Sequence, residues 1–236
     1  MFVSPATGSP AAAPAFDFAS LPLQRDAELL PAFIPAHTPL PAAALRPGHL
    51  YRLTSGCLAF SRRLDSERRQ ILDILGPGRL VDREVADRLR CEVVALAPTA
   101  LEPIADLPLA VERLAAENQD LMLSRALGHL TRLGKQGASE RVAAALLDLA
   151  SQFGAQVWEE QGRAVQYPLH LSRMDLADWL GLTLETVSRC MNRFKRDGLI
   201  AFSGEPTMTV RDPRALQDIA CGARAVDKLY KPHSQQ

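Results

Sequence analysis

Near the C-terminus, apolar side chains recur at helical spacing in two consecutive stretches, Leu176, Ala177 and Leu180, then Val187, Met191 and Phe194. Gly181 between them is suited to the left-handed conformation that ends a helix. Ser172 and Thr183 stand where a side-chain oxygen caps the first free amides of a helix. Residues 171–200 therefore predict two short helices joined by a tight turn. Glu185, Ser188, Arg189 and Asn192 fall on the outward side of the second. Gly198 closes that helix, Leu199-Ile200-Ala201-Phe202 predicts a strand, and Asp212-Pro213 opens a last helix. Upstream, Ser139 is expected to cap a helix reaching about Phe153, with Val142, Leu146 and Leu149 inward. Residues 154–168 predict an exposed loop entering a strand.

A longer helical pattern covers about 107–133. Leu107, Leu114 and Leu121 recur every seven residues, with Val111, Asn118 and Arg125 between them and Gly128 continuing the step. This reads as a coiled-coil seam between two copies, with a polar residue fixing register. Leu123, Leu127 and Leu130 lie on another face, where they are expected to pack on the preceding domain. That domain, from about residue 35 to 104, shows short apolar runs punctuated by Pro47-Gly48, Ser55-Gly56 and Gly76-Pro77-Gly78, the pattern of a small antiparallel barrel. The Pro- and Ala-rich residues 1–30 are expected to form a mobile tail. Four segments follow: the tail 1–30, a β domain 31–105, a dimerisation helix 106–136 and a C-terminal domain 137–236. Lys135-Gln136-Gly137 is the expected hinge.

The outward face of the helix 184–197 has the chemistry of a major-groove reader. A guanidinium at Arg189 can give two parallel hydrogen bonds to guanine O6 and N7, and a carboxylate at Glu185 can accept from cytosine N4. Ser188 is placed for a neighbouring base, and Ser172, Arg173, Thr183, Thr186 and Lys195 for phosphates. From 184 to 197 four basic side chains stand against two acidic ones. A Glu–Arg pair one turn apart also supports any solvated helix. The caps, the glycine turn and the following strand in order point to double-stranded DNA as the partner.

Composition narrows the class. The 236 residues carry 27 basic and 27 acidic side chains, so any basic footprint is local, and the 47% hydrophobic content suffices for globular cores. No apolar run approaches a membrane span, and the N-terminus does not read as a secretory signal. Cys57, Cys91, Cys190 and Cys221 are widely spread, as expected of reduced thiols in a cytoplasmic protein. No nucleophile–base set, metal-ligand cluster or phosphate loop appears, which argues against an enzyme.

The segment 171–200 resembles the winged helix of the cAMP receptor protein and fumarate–nitrate reductase regulator (Crp/Fnr) superfamily. Glu185-Thr186-Val187-Ser188-Arg189 matches the E-x-x-S-R of its fumarate–nitrate and FixK-type branches, and Leu184 replaces the Arg of the cAMP receptor branch. The resemblance implies an α+β fold: an N-terminal β-roll like those that bind cyclic nucleotides, a long dimerisation helix and a C-terminal winged helix-turn-helix. It implies a homodimeric transcription regulator reading inverted TTGA-like half-sites through Glu185, Ser188 and Arg189. It further implies contact with RNA polymerase near Trp158, Glu159 and Glu160.

The same resemblance frames what the β domain senses. The family's nucleotide cassette runs G-E-x-A…R-S/T, whereas this chain reads GPGRLVDREVADRLRCEVVAL, with Arg90-Cys91 near the Arg-Ser/Thr place and Glu84 lacking its glycine. Cyclic nucleotide is therefore not expected. Nor is an iron–sulfur cluster, since no cysteine precedes Cys57. Haem would need an axial ligand such as His37, His49 or His129, while His170 reads as structural. Cys190, beside Arg189 and Arg193, reads as a buried small hydrophobe, with a redox switch as the alternative. The expectation is a regulator without metal or cofactor. A redox or haem sensor of the same fold and a receptor signalling through a protein partner are the alternatives.

Overall fold

The computed structural model describes residues 32–40, 45, 49–66, 68–104, 108–159, 162–202 and 206–223. The stretch 1–30, Leu107 and Glu160 lie outside the described residues.

The punctuated apolar runs form two antiparallel sheets. Strands β1 (Ala32–Ile34), β2 (Leu50–Ser55), β5 (Leu80–Asp82) and β7 (Thr99–Pro103) pair in the order β1-β7-β2-β5. Strands β3 (Leu58–Arg63), β4 (Arg69–Leu75) and β6 (Glu92–Ala95) pair in the order β4-β3-β6. Ile34, Leu53, Phe60, Leu75, Val81 and Leu101 share one buried core, and each such side chain stabilises the fold by about 1.5–3 kcal/mol. Gly56 turns β2 into β3 at φ +94°, where a Cβ would lie 2.4 Å from the Pro98 carbonyl oxygen. A short helix, α1 (Arg83–Arg88), follows β5.

Helix α2 (Pro108–Lys135) has the expected length but presents its faces the other way round. Leu114 packs with Leu50, Leu80 and Ile104 of the β domain, with Val111 and Leu121 beside it. Asn118 is buried, and Arg125 is drawn into ion pairs with Asp73 and Asp148. The proposed seam is thus turned against the chain's own β domain, and Gly128 is half-buried. Leu123, Leu127 and Leu130, expected to cover that domain, are 59%, 56% and 65% exposed. The two stripes lie on opposite sides of the helix, so only one can meet the β domain, and the one that does supplies both apolar contacts and a cation for two carboxylates.

The C-terminal domain begins with α3 (Ala138–Phe153), which buries Val142, Leu146 and Leu149 as expected. Its cap is Gly137 rather than Ser139, because the Glu140 carboxylate reaches back to accept from the Gly137 amide at 2.9 Å. Residues 154–168 form a hairpin: β9 (Gly162–Pro168) is the expected strand, and β8 (Ala155–Glu159) stands where a loop was expected. β9 is held between β8 and β11, and the buried Tyr167 hydroxyl donates to the Leu146 carbonyl at 3.1 Å. Helices α4 (Arg173–Leu180) and α5 (Leu184–Arg196), strands β10 (Ile200–Phe202) and β11 (Thr207–Val210), and α6 (Pro213–Ala220) complete the chain. The sheet order β10-β11-β9-β8 makes a wing beside α5. Cys57, Ala59, Ile71 and Ile74 of the β domain belong to the same core as Leu146, Leu176 and Phe194.

Candidate DNA-binding interface

The reader is assembled from local signals. Ser172 caps α4 by accepting from the Asp175 amide at 3.0 Å, while the Asp175 carboxylate accepts from the Ser172 amide and hydroxyl at 2.8 and 2.6 Å. Two orphan donors are satisfied reciprocally. Gly181 ends α4 in the left-handed region at φ +60°. Thr183 then caps α5 by accepting from the Thr186 amide at 3.2 Å. Val187, Met191 and Phe194 are fully buried under α5.

This burial forces the opposite face outward. The Glu185 and Arg189 side chains are 77% and 70% exposed and stand 3.7 Å apart. At that exposure the pair contributes little stability, so both groups are free to exchange each other for another partner. Arg189 also donates to the Thr186 hydroxyl at 3.5 Å. Ser188 is half-buried and Asn192 exposed. Leu184, at the first residue of α5, is 45% exposed.

Two of the basic side chains expected on phosphates are engaged with the wing. The Arg173 guanidinium lies 4.8 Å from the Phe202 ring centroid and against the Met191 sulfur, and burial lowers its pKa. The Lys195 ammonium lies 4.5 Å from the same centroid and donates to the Phe202 carbonyl at 2.8 Å. Phe202 therefore gathers two cations at the edge of the reader. Ser172, Thr183 and Thr186 remain at the helix N-termini, where phosphate oxygens are favourably met.

Cys190 lies under α5, with its sulfur 3.7 Å from the Ser139 hydroxyl of α3. Burial pushes the Cys57 thiol well above the ordinary range. His129 stacks on Trp179 with ring centroids 6.2 Å apart, and neither of its ring nitrogens finds a hydrogen-bond partner among the described residues. His170 meets Phe153 edge to face at 5.3 Å.

The segment that corresponds to the family's nucleotide cassette is closed off at the start of α1. Asp82 caps α1, its carboxylate accepting from the Glu84 and Val85 amides at 2.8 and 3.3 Å. A phosphate would meet a carboxylate where it needs free amides, so the residues do not fit that ligand. Asp82 before Arg83-Glu84-Val85 is a cap signal legible in the sequence. By contrast, the sequence holds no signal for the grip of Arg69 on Asp175 and Asp178.

Comparison with known proteins bears on this geometry. Residues 140–219 match the Crp-like helix-turn-helix domain. The nitrogen fixation regulation protein FixK of Rhizobium meliloti is 31% identical over 175 residues, covering 72% of this chain and 77% of that protein. The transcriptional activator protein FnrL of Cereibacter sphaeroides is 30% identical, covering 68% of each. Among solved structures, FixK2 of Bradyrhizobium japonicum superposes with a TM-score of 0.66 at 23% identity, covering 81% of this chain and 96% of that one, a likeness of fold.

Proposed function

Because the chain belongs to the Crp/Fnr superfamily of DNA-binding transcription regulators, on its FixK/Fnr branch, we propose that it acts as a homodimer on an inverted repeat with TTGA-like half-sites. The observation that carries this reading is the outward face of α5, with Glu185 and Arg189 exposed and adjacent over a fully buried base. Arg189 would bond guanine O6 and N7, Glu185 would accept from cytosine N4, and Ser188 would meet a neighbouring base. The exposed Leu184 suits a thymine methyl group. Ser172, Thr183, Thr186 and Lys195 would meet phosphates, with Arg173 reaching them at the wing edge.

Two copies would join through the exposed row Leu123, Leu127 and Leu130 of α2, and the two recognition helices would then enter successive major grooves one turn of DNA (about 34 Å) apart. The Asp82 cap supports activity without cyclic nucleotide. The burial of Cys190 against Ser139 supports a packing role for that thiol. RNA polymerase contact near Trp158 and Glu159 on β8 and the adjacent Glu160, and residence in the cytoplasm, complete the reading.

The test is binding of the reduced protein to a TTGA-N6-TCAA duplex beside a scrambled duplex at fixed salt, with no ligand added. Tight, selective binding is expected. Arg189→Ala should lose about 1–3 kcal/mol on the specific duplex and flatten discrimination at the G·C pair. An unchanged preference in that variant would remove Arg189 from the reading set.

A further inference from the structure

Strand β4 grips the winged helix from the β domain. Arg69 gives its Nε to Asp178 at 2.7 Å and an Nη to Asp175, both on α4. The next residue, Gln70, donates to the Trp179 carbonyl at 3.1 Å. Further along β4, Asp73 accepts from Arg79 at 2.9 Å and from Arg125 of α2 at 2.8 Å. Arg125 closes on both oxygens of Asp148 of α3 at 3.0 Å each. Gln152 of α3 donates to Asp148 at 2.9 Å and accepts from the Gly76 amide at 3.0 Å. One strand thus ties the β domain, the long helix and both helices that lead to the reader.

Two features make this more than a set of surface pairs. The Asp175 side chain is only 9% exposed and Asp73 only 13%, so these carboxylates are shielded from water and removing their arginine would strand a buried charge. Asp175 is also the residue that completes the cap of α4, so the carboxylate setting the start of the helix-turn-helix is the one Arg69 holds. Burial favours a neutral arginine, yet the neighbouring carboxylates raise the pKa of both Arg69 and Arg125. In this clamped arrangement Glu185 and Arg189 remain open to solvent.

We propose that Arg69 is a positioning residue for DNA reading. Through Asp175 and Asp178 it clamps α4 to β4, while Arg125 locks α2 to α3, so the recognition helix stands in a reading orientation before any effector binds. The inference rests on the operator reading proposed above.

Trp179 reports the joint, being 2% exposed, stacked on His129 and bonded through its carbonyl to Gln70. In a full-length Trp158→Phe background it is the one remaining tryptophan. Arg69→Ala is expected to raise acrylamide quenching of Trp179. It should also weaken operator binding about tenfold, the scale of one lost charge-assisted hydrogen bond, with dimerisation unchanged. Asp178→Asn, which leaves Arg69 on Asp175, should shift both readouts less and in the same direction, and it decides the matter if Arg69→Ala melts early. Arg69→Lys, keeping the charge, should recover part of both. Unchanged operator affinity overturns the proposal, and tighter binding overturns it in favour of a restraint on the reader. Should the wild type show no operator preference, the DNA reading fails on its own, and the clamp is judged by quenching. Equal shielding of Trp179 in wild type and both variants then overturns it.

Discussion

Helix α5 buries one stripe and gives its other side to solvent, whereas α2 carries leucines on both sides and buries only one set. In α5 Val187, Met191 and Phe194 are internal with Cys190, and polar side chains fill the remainder except for the exposed Leu184 at the first position. In α2, Leu114 and Leu121 face the β domain while Leu123, Leu127 and Leu130 face outward. A helix with one apolar stripe has a single way to dock. A helix with two opposed stripes has two, and the choice passes to the groups around it. Here Asp73 and Asp148 choose, because only the Leu114 side also brings Arg125 to them.

The sharpest way to break the comparison is to charge the outer stripe. Leu127→Asp should leave the fold intact and yield a monomer by sedimentation equilibrium. Operator affinity should fall on the order of a hundredfold, since the second half-site is no longer tethered. A variant that remains dimeric would move the interface elsewhere. The converse change is Leu114→Ala on the inner stripe. It should cost about 2–5 kcal/mol of unfolding free energy in a denaturant titration, with the dimer retained at concentrations where the protein is folded. Dissociation without loss of stability would restore Leu114 to the seam.

The smallest expected effect is a pH dependence centred on the inner side of α2. Burial is the main cause of the lowered His129 pKa. Arg132 and Arg125 lower it further, while Asp73 and Asp148 oppose them. Burial likewise lowers that of His170. Below the ordinary value of about 6.5 the unfolded chain binds protons that the folded chain resists, so stability falls with pH until the folded value is passed. The thermal midpoint should therefore drop between about pH 7.5 and about pH 5.5. His129→Phe, keeping a ring against Trp179, should drop less. Equal drops would assign the whole dependence to other groups.

The same contrast explains what was legible along the chain. The helix-turn-helix was read correctly down to its caps and its glycine, since Ser172, Gly181 and Thr183 act within three or four residues of themselves. The outward set Glu185 and Arg189 followed, because three inward residues fix the rotation of α5. The Gly137 cap and the hairpin 155–168 were misplaced by competing local signals. A serine outranks a backward-reaching Glu140 at the cap, and Gly154 and the polar run around Glu159 mask the pairing of β8 with β9.

By itself, then, the sequence determined the helix-turn-helix and which of its side chains face outward. These rest on periodicity and on capping, which are properties of short segments. Tertiary structure alone decided which stripe of α2 meets the β domain. It likewise decided that Arg69 holds Asp175 and Asp178 more than a hundred residues away, and that Phe202 collects Arg173 and Lys195. Such partners are set by which carboxylates and ring faces the folded chain brings to each cation, and no local pattern records that choice.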